Sequence, residues 1–122
     1  MHLLDINTQY YYKSSIEGEL TDFIKSIYGG VVIINTRTVI GPKELDIYLP
    51  ELNIAFEYCG LYWHSELYGM PRAYHLNKLN ACTYKGIRLI QIFENEWLSK
   101  KSIVLSRIKN VITKNNQTIS MT

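Results

Sequence analysis

Residues 45–59 read LDIYLPELNIAFEYC. Two runs rich in β-branched and aromatic residues, LDIYL at 45–49 and NIAFEYC at 53–59, flank PEL. Pro50 and Asn53 are turn formers, so the stretch predicts a β-hairpin. With the turn centred on Glu51 and Leu52, Leu49 faces Ile54, Ile47 faces Phe56 and Asp46 faces Glu57. Two carboxylates then meet across the hairpin. Like charges directly opposed destabilise a sheet. A divalent cation is the simplest compensation, because two carboxylates and a nearby backbone carbonyl are the hard oxygen ligands that Mg²⁺ accepts beside water and phosphate. A register shifted by one residue sends the two acids to opposite faces instead, and a side chain turned to solvent removes the need for an ion.

His64 follows in YWHS, soon after the second strand. A neutral imidazole there has the chemistry to take a proton from an attacking water or to give one to a leaving oxygen. A packed amphipathic histidine beside Trp63 is the plainer reading. Cys59, His64, His75 and Cys82 together suggest zinc, but the chain has neither a CxxC nor an HxxxH pair, and the spacing is poor for a structural zinc site. Phosphate contacts are expected from Arg72, Lys78, Lys85, Lys100, Lys101, Arg107 and Lys109, with Tyr62, Trp63, Tyr68 and Tyr74 interleaved as stacking candidates. The competing reading for most of these is a solvated helix face and core aromatics. No glycine-rich phosphate loop, GxSxG elbow or CxxC redox pair is present.

The hairpin sits inside a chain of 122 residues, enough for one domain with a real core. With 47% apolar and 20% charged residues the composition is globular, and no apolar run approaches the roughly 20 residues of a membrane span. The beginning MHLLDINTQYYY does not read as a signal peptide, and two cysteines make no disulfide framework, so a reducing cytoplasm is expected. Charge is segregated: residues 1–61 hold four cations and eight anions, residues 62–122 nine cations and three anions. Such a division suits a metal centre beside a phosphate-binding surface, although a solvated charged helix explains it as well.

Before the hairpin, Ser14 and Glu17 have the spacing of a capping box, and Ile16, Leu20, Phe23, Ile24 and Ile27 mark one face of a helix that Gly29 and Gly30 stop. Residues 1–13 read as an arm or edge strand, VVIIN at 31–35 as a short buried strand, and TRTVIGPKE as a loop. After it, residues 74–85 read as a helix ended by Gly86, IRLIQIF at 87–93 as a strand, and Ser99 as the opening of a last helix with Val104, Ile108, Val111 and Ile112 inward. The tail from residue 114 to 122 reads as frayed. The expected order is αβββαβα, an α/β fold with a mixed sheet flanked by helices.

The helix bearing Glu17, then LDIYLPELNIAFEYCGLYWHSE, then GIRLIQIFENEW resembles the PD-(D/E)XK nuclease superfamily. It is most similar to the very-short-patch-repair (Vsr-like) branch and the phage homing endonucleases related to it, over about residues 14–113. The resemblance implies a restriction-endonuclease-like core and Mg²⁺-dependent hydrolysis of double-stranded DNA, with Mn²⁺ as a substitute metal, by a protein of the cytoplasm, or of the host-cell cytoplasm if phage-encoded. It assigns Asp46 as the metal-binding aspartate, Glu57 as the acid of the (D/E)XK element, the Tyr58 carbonyl as a further metal ligand, His64 as general base or acid, Glu17 as the first-helix glutamate near the metal, and Gln91 as an accessory residue.

Two departures stand out. Cys59 occupies the lysine position of the (D/E)XK element and cannot serve as its cation. His75 lies about where the repair enzymes keep an aspartate beside their histidine. The expected function is a metal-dependent DNA endonuclease, either a homing or a nicking enzyme, with room for a homodimer. The alternative is a nuclease-derived DNA-binding protein whose catalysis is weakened at Cys59.

Overall fold

The computed structural model describes residues 6–60 and 72–120, with side-chain surroundings for residues 15–60 and 76–116. Among the described residues the chain forms helix α1 (Ile6–Ile27), strands β1 (Ile33–Ile40), β2 (Lys43–Leu49) and β3 (Ile54–Cys59), and helix α2 (Arg72–Tyr84). Strand β4 (Arg88–Phe93), a short helix α3 (Glu94–Ser99) and helix α4 (Lys101–Ser120) follow. The strands make one mixed sheet in the order β1-β2-β3-β4. β1 and β3 each run antiparallel to β2, whereas β3 and β4 are parallel. A parallel pair needs a crossover, and α2 lies in that connection.

The sheet is covered on both faces. Ile54, Phe56 and Tyr58 of β3 join Ile47 and Leu49 of β2 in a core shared with Leu20 and Ile24 of α1, Trp97 of α3, and Val104, Ile108 and Ile112 of α4. Ala55 points the other way, into a smaller core with Cys82 of α2, Ile40, Leu45, Ile87 and Leu89. Alternation along β3 therefore has no solvent side, and all six of its residues are buried. This is why NIAFEYC lacks the polar–apolar alternation of a half-exposed strand.

The turn between β2 and β3 holds its shape through backbone bonds from Leu52 N to Leu49 O (3.2 Å) and from Asn53 N to Pro50 O (3.3 Å), with Asn53 in the left-handed region at φ 54°. Its carbonyl then accepts Arg88 N at 2.8 Å, fixing where β4 begins. Helix α2 ends at Gly86 (φ 75°) with Ile87 N bonded to Cys82 O (2.8 Å) and Gly86 N to Thr83 O (3.0 Å). This is the Schellman pattern, completed by the apolar contact of Ile87 with Cys82 in the smaller core.

Four sequence expectations change. VVIIN is not a buried strand: β1 starts at Ile33 on the edge of the sheet, and Val31, Ile33 and Ile34 are exposed. Helix α1 begins at Ile6, so Ser14 lies inside it and is no N-cap; INTQYYYK contains neither glycine nor proline to stop the helix from extending toward the N-terminus. TRTVI belongs to β1, not to a loop: the β-branched run continues to Ile40, and only Gly41 and Pro42 turn the chain into β2. The last helix opens at Lys101 and not at Ser99, which ends a short helix over Glu94–Ser99, and it continues to Ser120, through most of the stretch expected to be frayed. No helix among the described residues is long and apolar enough to cross a membrane.

Candidate functional site

The hairpin register is the expected one over its assigned length: Leu49 opposes Ile54, Tyr48 opposes Ala55 and Ile47 opposes Phe56. The ladder stops there, one pair short of Asp46 and Glu57. Leu45, Asp46 and Ile47 are consecutively buried, with Leu45 in the smaller core and Ile47 in the larger, while the pairing with β1 stays in register from Tyr48 to Leu45. Beyond the last pair, Asp46 Oδ2 accepts the backbone N–H of Tyr58 at 3.0 Å. A side chain thus ties the strands where their backbones part. Asp46 is only 4% exposed, and the bond keeps its carboxylate at the C-terminal end of β3.

Glu57, one residue back along β3, is also 4% exposed. By alternation it shares the face of Ala55, the face on which α2 packs. Lys78 of α2 donates from Nζ to Glu57 Oε1, forming an ion pair buried at both ends. Glu57 Oε2 is buried as well and has no hydrogen-bond donor among the described residues. Cys82, one helical turn after Lys78, lies under the same pair. Burial, then the charge of Glu57, raises its thiol pKa, and Lys78 opposes the rise. Gln91 is the in-register partner of Glu57 across the parallel β3–β4 ladder, so the two side chains share a face.

On the opposite face the Tyr58 hydroxyl donates to Glu94 Oε1 at 2.9 Å, linking β3 to the first turn of α3. Tyr58 thus holds Asp46 through its N–H and Glu94 through its side chain. Its expected role was through its carbonyl. Glu17 sits on α1, which packs against this larger core, and its carbonyl accepts the Thr21 hydroxyl at 2.8 Å.

Lys78 departs from its expected place. It is 2% exposed and bonded to Glu57, and a lysine so placed is a buried counter-ion, not a surface phosphate contact. Lys101 pairs with Glu19 of α1 and lies 5.0 Å from the Trp97 ring, bracing α4 against α1. Arg107 is 3.7 Å from Glu96. Lys85, Lys100 and Lys109 are exposed. Sequence reading missed a groove of about 510 Å³ beside α4, where Arg88, Arg107 and Lys114 meet Ser102, Ser106 and Asn110. The spacing of the three polar helix residues, four apart, was its available signal. His64 lies outside the described residues, as do the side chains of Arg72 and His75. Cys59 and Cys82 are buried and form no disulfide, and no group of three His, Cys, Asp or Glu side chains that could hold a metal ion occurs among the described residues.

What the arrangement offers is two buried carboxylates of neighbouring strands, one anchored by a backbone N–H and the other by an ammonium, with Glu57 Oε2 left without a donor among the described residues. No protein-family model matches the chain, and neither does any curated protein or solved structure.

Proposed function

We propose that the chain is a metal-dependent DNA endonuclease with a PD-(D/E)XK core of the Vsr-like or homing-endonuclease kind. The observation that carries this reading is Glu57 Oε2: a buried carboxylate oxygen without a donor among the described residues, on the strand whose next residue, Tyr58, holds the buried carboxylate of Asp46 by its backbone N–H. Leaving such an oxygen unpaired is costly, and a cation is a partner that a carboxylate accepts without a proton. The α-β-β-β-α-β order with a parallel β3–β4 pair supports the same reading.

The donor set fits Mg²⁺ or Mn²⁺ better than zinc. Asp46, Glu57 and the Tyr58 carbonyl are all oxygen ligands, whereas Cys82 sits in an apolar cluster with a raised pKa. Asp46, Glu57 and the Tyr58 carbonyl would hold the ion, which would supply Lewis-acid activation for phosphodiester hydrolysis. The protein's own part is positional: the Tyr58 N–H fixes one oxygen of the Asp46 carboxylate, Lys78 fixes one oxygen of Glu57, and Gln91 borders Glu57 on β4. His64 is the proposed proton carrier and Glu17 an accessory acid. Cleavage leaves a 5′-phosphate, as the resemblance implies. Lys85, Lys100, Lys109 and the groove of Arg88, Arg107 and Lys114 supply backbone contacts to double-stranded DNA, so affinity falls with salt.

A plasmid-nicking assay tests this. With Mg²⁺ or Mn²⁺ at low salt the wild type nicks or linearises supercoiled DNA, Asp46→Ala is inactive and His64→Ala is strongly slowed. If the wild type cuts no better than Asp46→Ala but still retards DNA in a gel, the DNA-binding alternative that Cys59 suggests replaces the enzyme.

A further inference from the structure

Two residues after Glu57, where the resemblance calls for a lysine, the strand has Cys59, a buried thiol at 2% exposure. A cation is nonetheless present beside Glu57, brought by another element. Cys82 of α2 shares the smaller core with Ala55, and Lys78, one turn earlier on the helix, reaches Glu57, two residues later on the strand. The helix therefore runs antiparallel to β3, and the side of it that covers the sheet places a charge where the strand supplies none.

A lysine at 2% exposure is rare because its ammonium leaves water at a cost of several kcal/mol. If Glu57 needed only a structural partner, a neutral donor or an apolar pair would serve at less cost. The ammonium also bonds Glu57 through Oε1, while Oε2 has no donor among the described residues. Both features make sense if the carboxylate must be held and charge-balanced but not fully satisfied.

We infer that Lys78 is the positioning residue of the site: it orients Glu57 by one oxygen and provides from α2 the fixed positive charge that the strand lacks. This rests on the metal-dependent nuclease reading. Its charge offsets those of Asp46 and Glu57, which weakens the site's hold on a divalent cation while favouring the approach of an anionic phosphate.

The test compares Lys78→Gln, which keeps a donor for Glu57 without the charge, with Lys78→Arg, which keeps the charge. Circular dichroism first checks that each is folded; calorimetric titration with Mn²⁺ alone and single-turnover DNA cleavage follow. Lys78→Gln is expected to bind Mn²⁺ several-fold more tightly while cutting on the order of 10²-fold more slowly. Lys78→Arg stays near wild type in Mn²⁺ affinity, and Cys59→Lys added to Lys78→Gln restores cleavage. A purely structural counter-ion has no means of moving metal affinity and rate in opposite directions. If Lys78→Gln matches wild type in both measurements, or loses Mn²⁺ affinity along with rate, the inference is overturned while the nuclease reading stands. If Lys78→Gln does not fold, the Cys59→Lys/Lys78→Gln double variant decides: recovered fold and cleavage support the inference, and recovered fold without cleavage overturns it. If the wild type itself neither binds Mn²⁺ nor cuts, the nuclease reading falls and takes the inference with it.

Discussion

Asp46 accepts the backbone N–H of Tyr58 through Oδ2 at 3.0 Å, just beyond the last assigned pair of the β2–β3 ladder. A residue proposed to bind metal is thus also part of the sheet, and its two roles separate by substitution. Asp46→Asn keeps an oxygen acceptor for Tyr58, whereas Asp46→Ala leaves a buried N–H without a partner, at a cost of about 1–3 kcal/mol. In urea denaturation, Asp46→Asn is expected near the wild-type midpoint and Asp46→Ala well below it. Both lose cleavage. Equal midpoints for the two variants would show that the bond contributes nothing to the fold.

The Lys78–Glu57 pair makes a second stability prediction. Removing one partner strands the other charge in the smaller core, so Lys78→Ala is expected to cost about 3–5 kcal/mol. The double variant Lys78→Met/Glu57→Leu removes both charges and is expected to recover most of that loss, because apolar side chains of similar volume suit a cluster built of Ala55, Cys82 and Leu89. A double-mutant cycle by chemical denaturation measures the coupling. Additive losses would refute it.

How much of this was legible in the sequence follows from the range over which each signal acts. The β2–β3 register was readable because Pro50 and Asn53 lie within the turn they build, and the inward face of α4 because Val104, Ile108 and Ile112 repeat at helical spacing. TRTVI was misread because Gly41 and Pro42 dominated their neighbours, although its β-branched residues continue the strand up to them. The end of the ladder at Ile47 was not readable, since the residues on either side of it keep the composition of a strand. Lys78 was the largest miss. Its partner stands 21 positions away, brought near by the crossover, and a lysine without a visible partner is reasonably read as a surface cation.

Gly86 marks the point where α2 hands the chain to β4 at φ 75°, with open space around its Cα. Gly86→Ala therefore meets no clash but adopts a left-handed conformation, at a cost of about 1–2 kcal/mol. Gly86→Asn is expected to lose less, because asparagine tolerates that region better. Thermal denaturation distinguishes them. If alanine is as stable as glycine, the helix end has rearranged and the Schellman bonds to Cys82 and Thr83 are dispensable.

Glu51 ties the β2–β3 turn to the end of α1: Oε1 accepts Val31 N at 2.8 Å and lies 3.5 Å from the Tyr28 hydroxyl. Burial, and then the Glu51 carboxylate, raise the Tyr28 pKa above the ordinary value of 10.0. The sign follows from which state keeps its proton. Below pH 10 the phenol is neutral in both folded and unfolded chains, and its contribution is fully present. As pH rises past 10 the unfolded chain ionises first, binds fewer protons than the folded one, and is favoured, so stability falls until the folded-state pKa is passed. Denaturation curves collected from pH 8 to 11 should show wild type losing stability above pH 10 faster than Tyr28→Phe, with the two parallel below pH 9. Glu51→Gln should remove only part of the difference, because burial is the larger cause. A Tyr28→Phe curve that falls as steeply as wild type would mean the hydroxyl is as solvated in the folded chain as in the unfolded one.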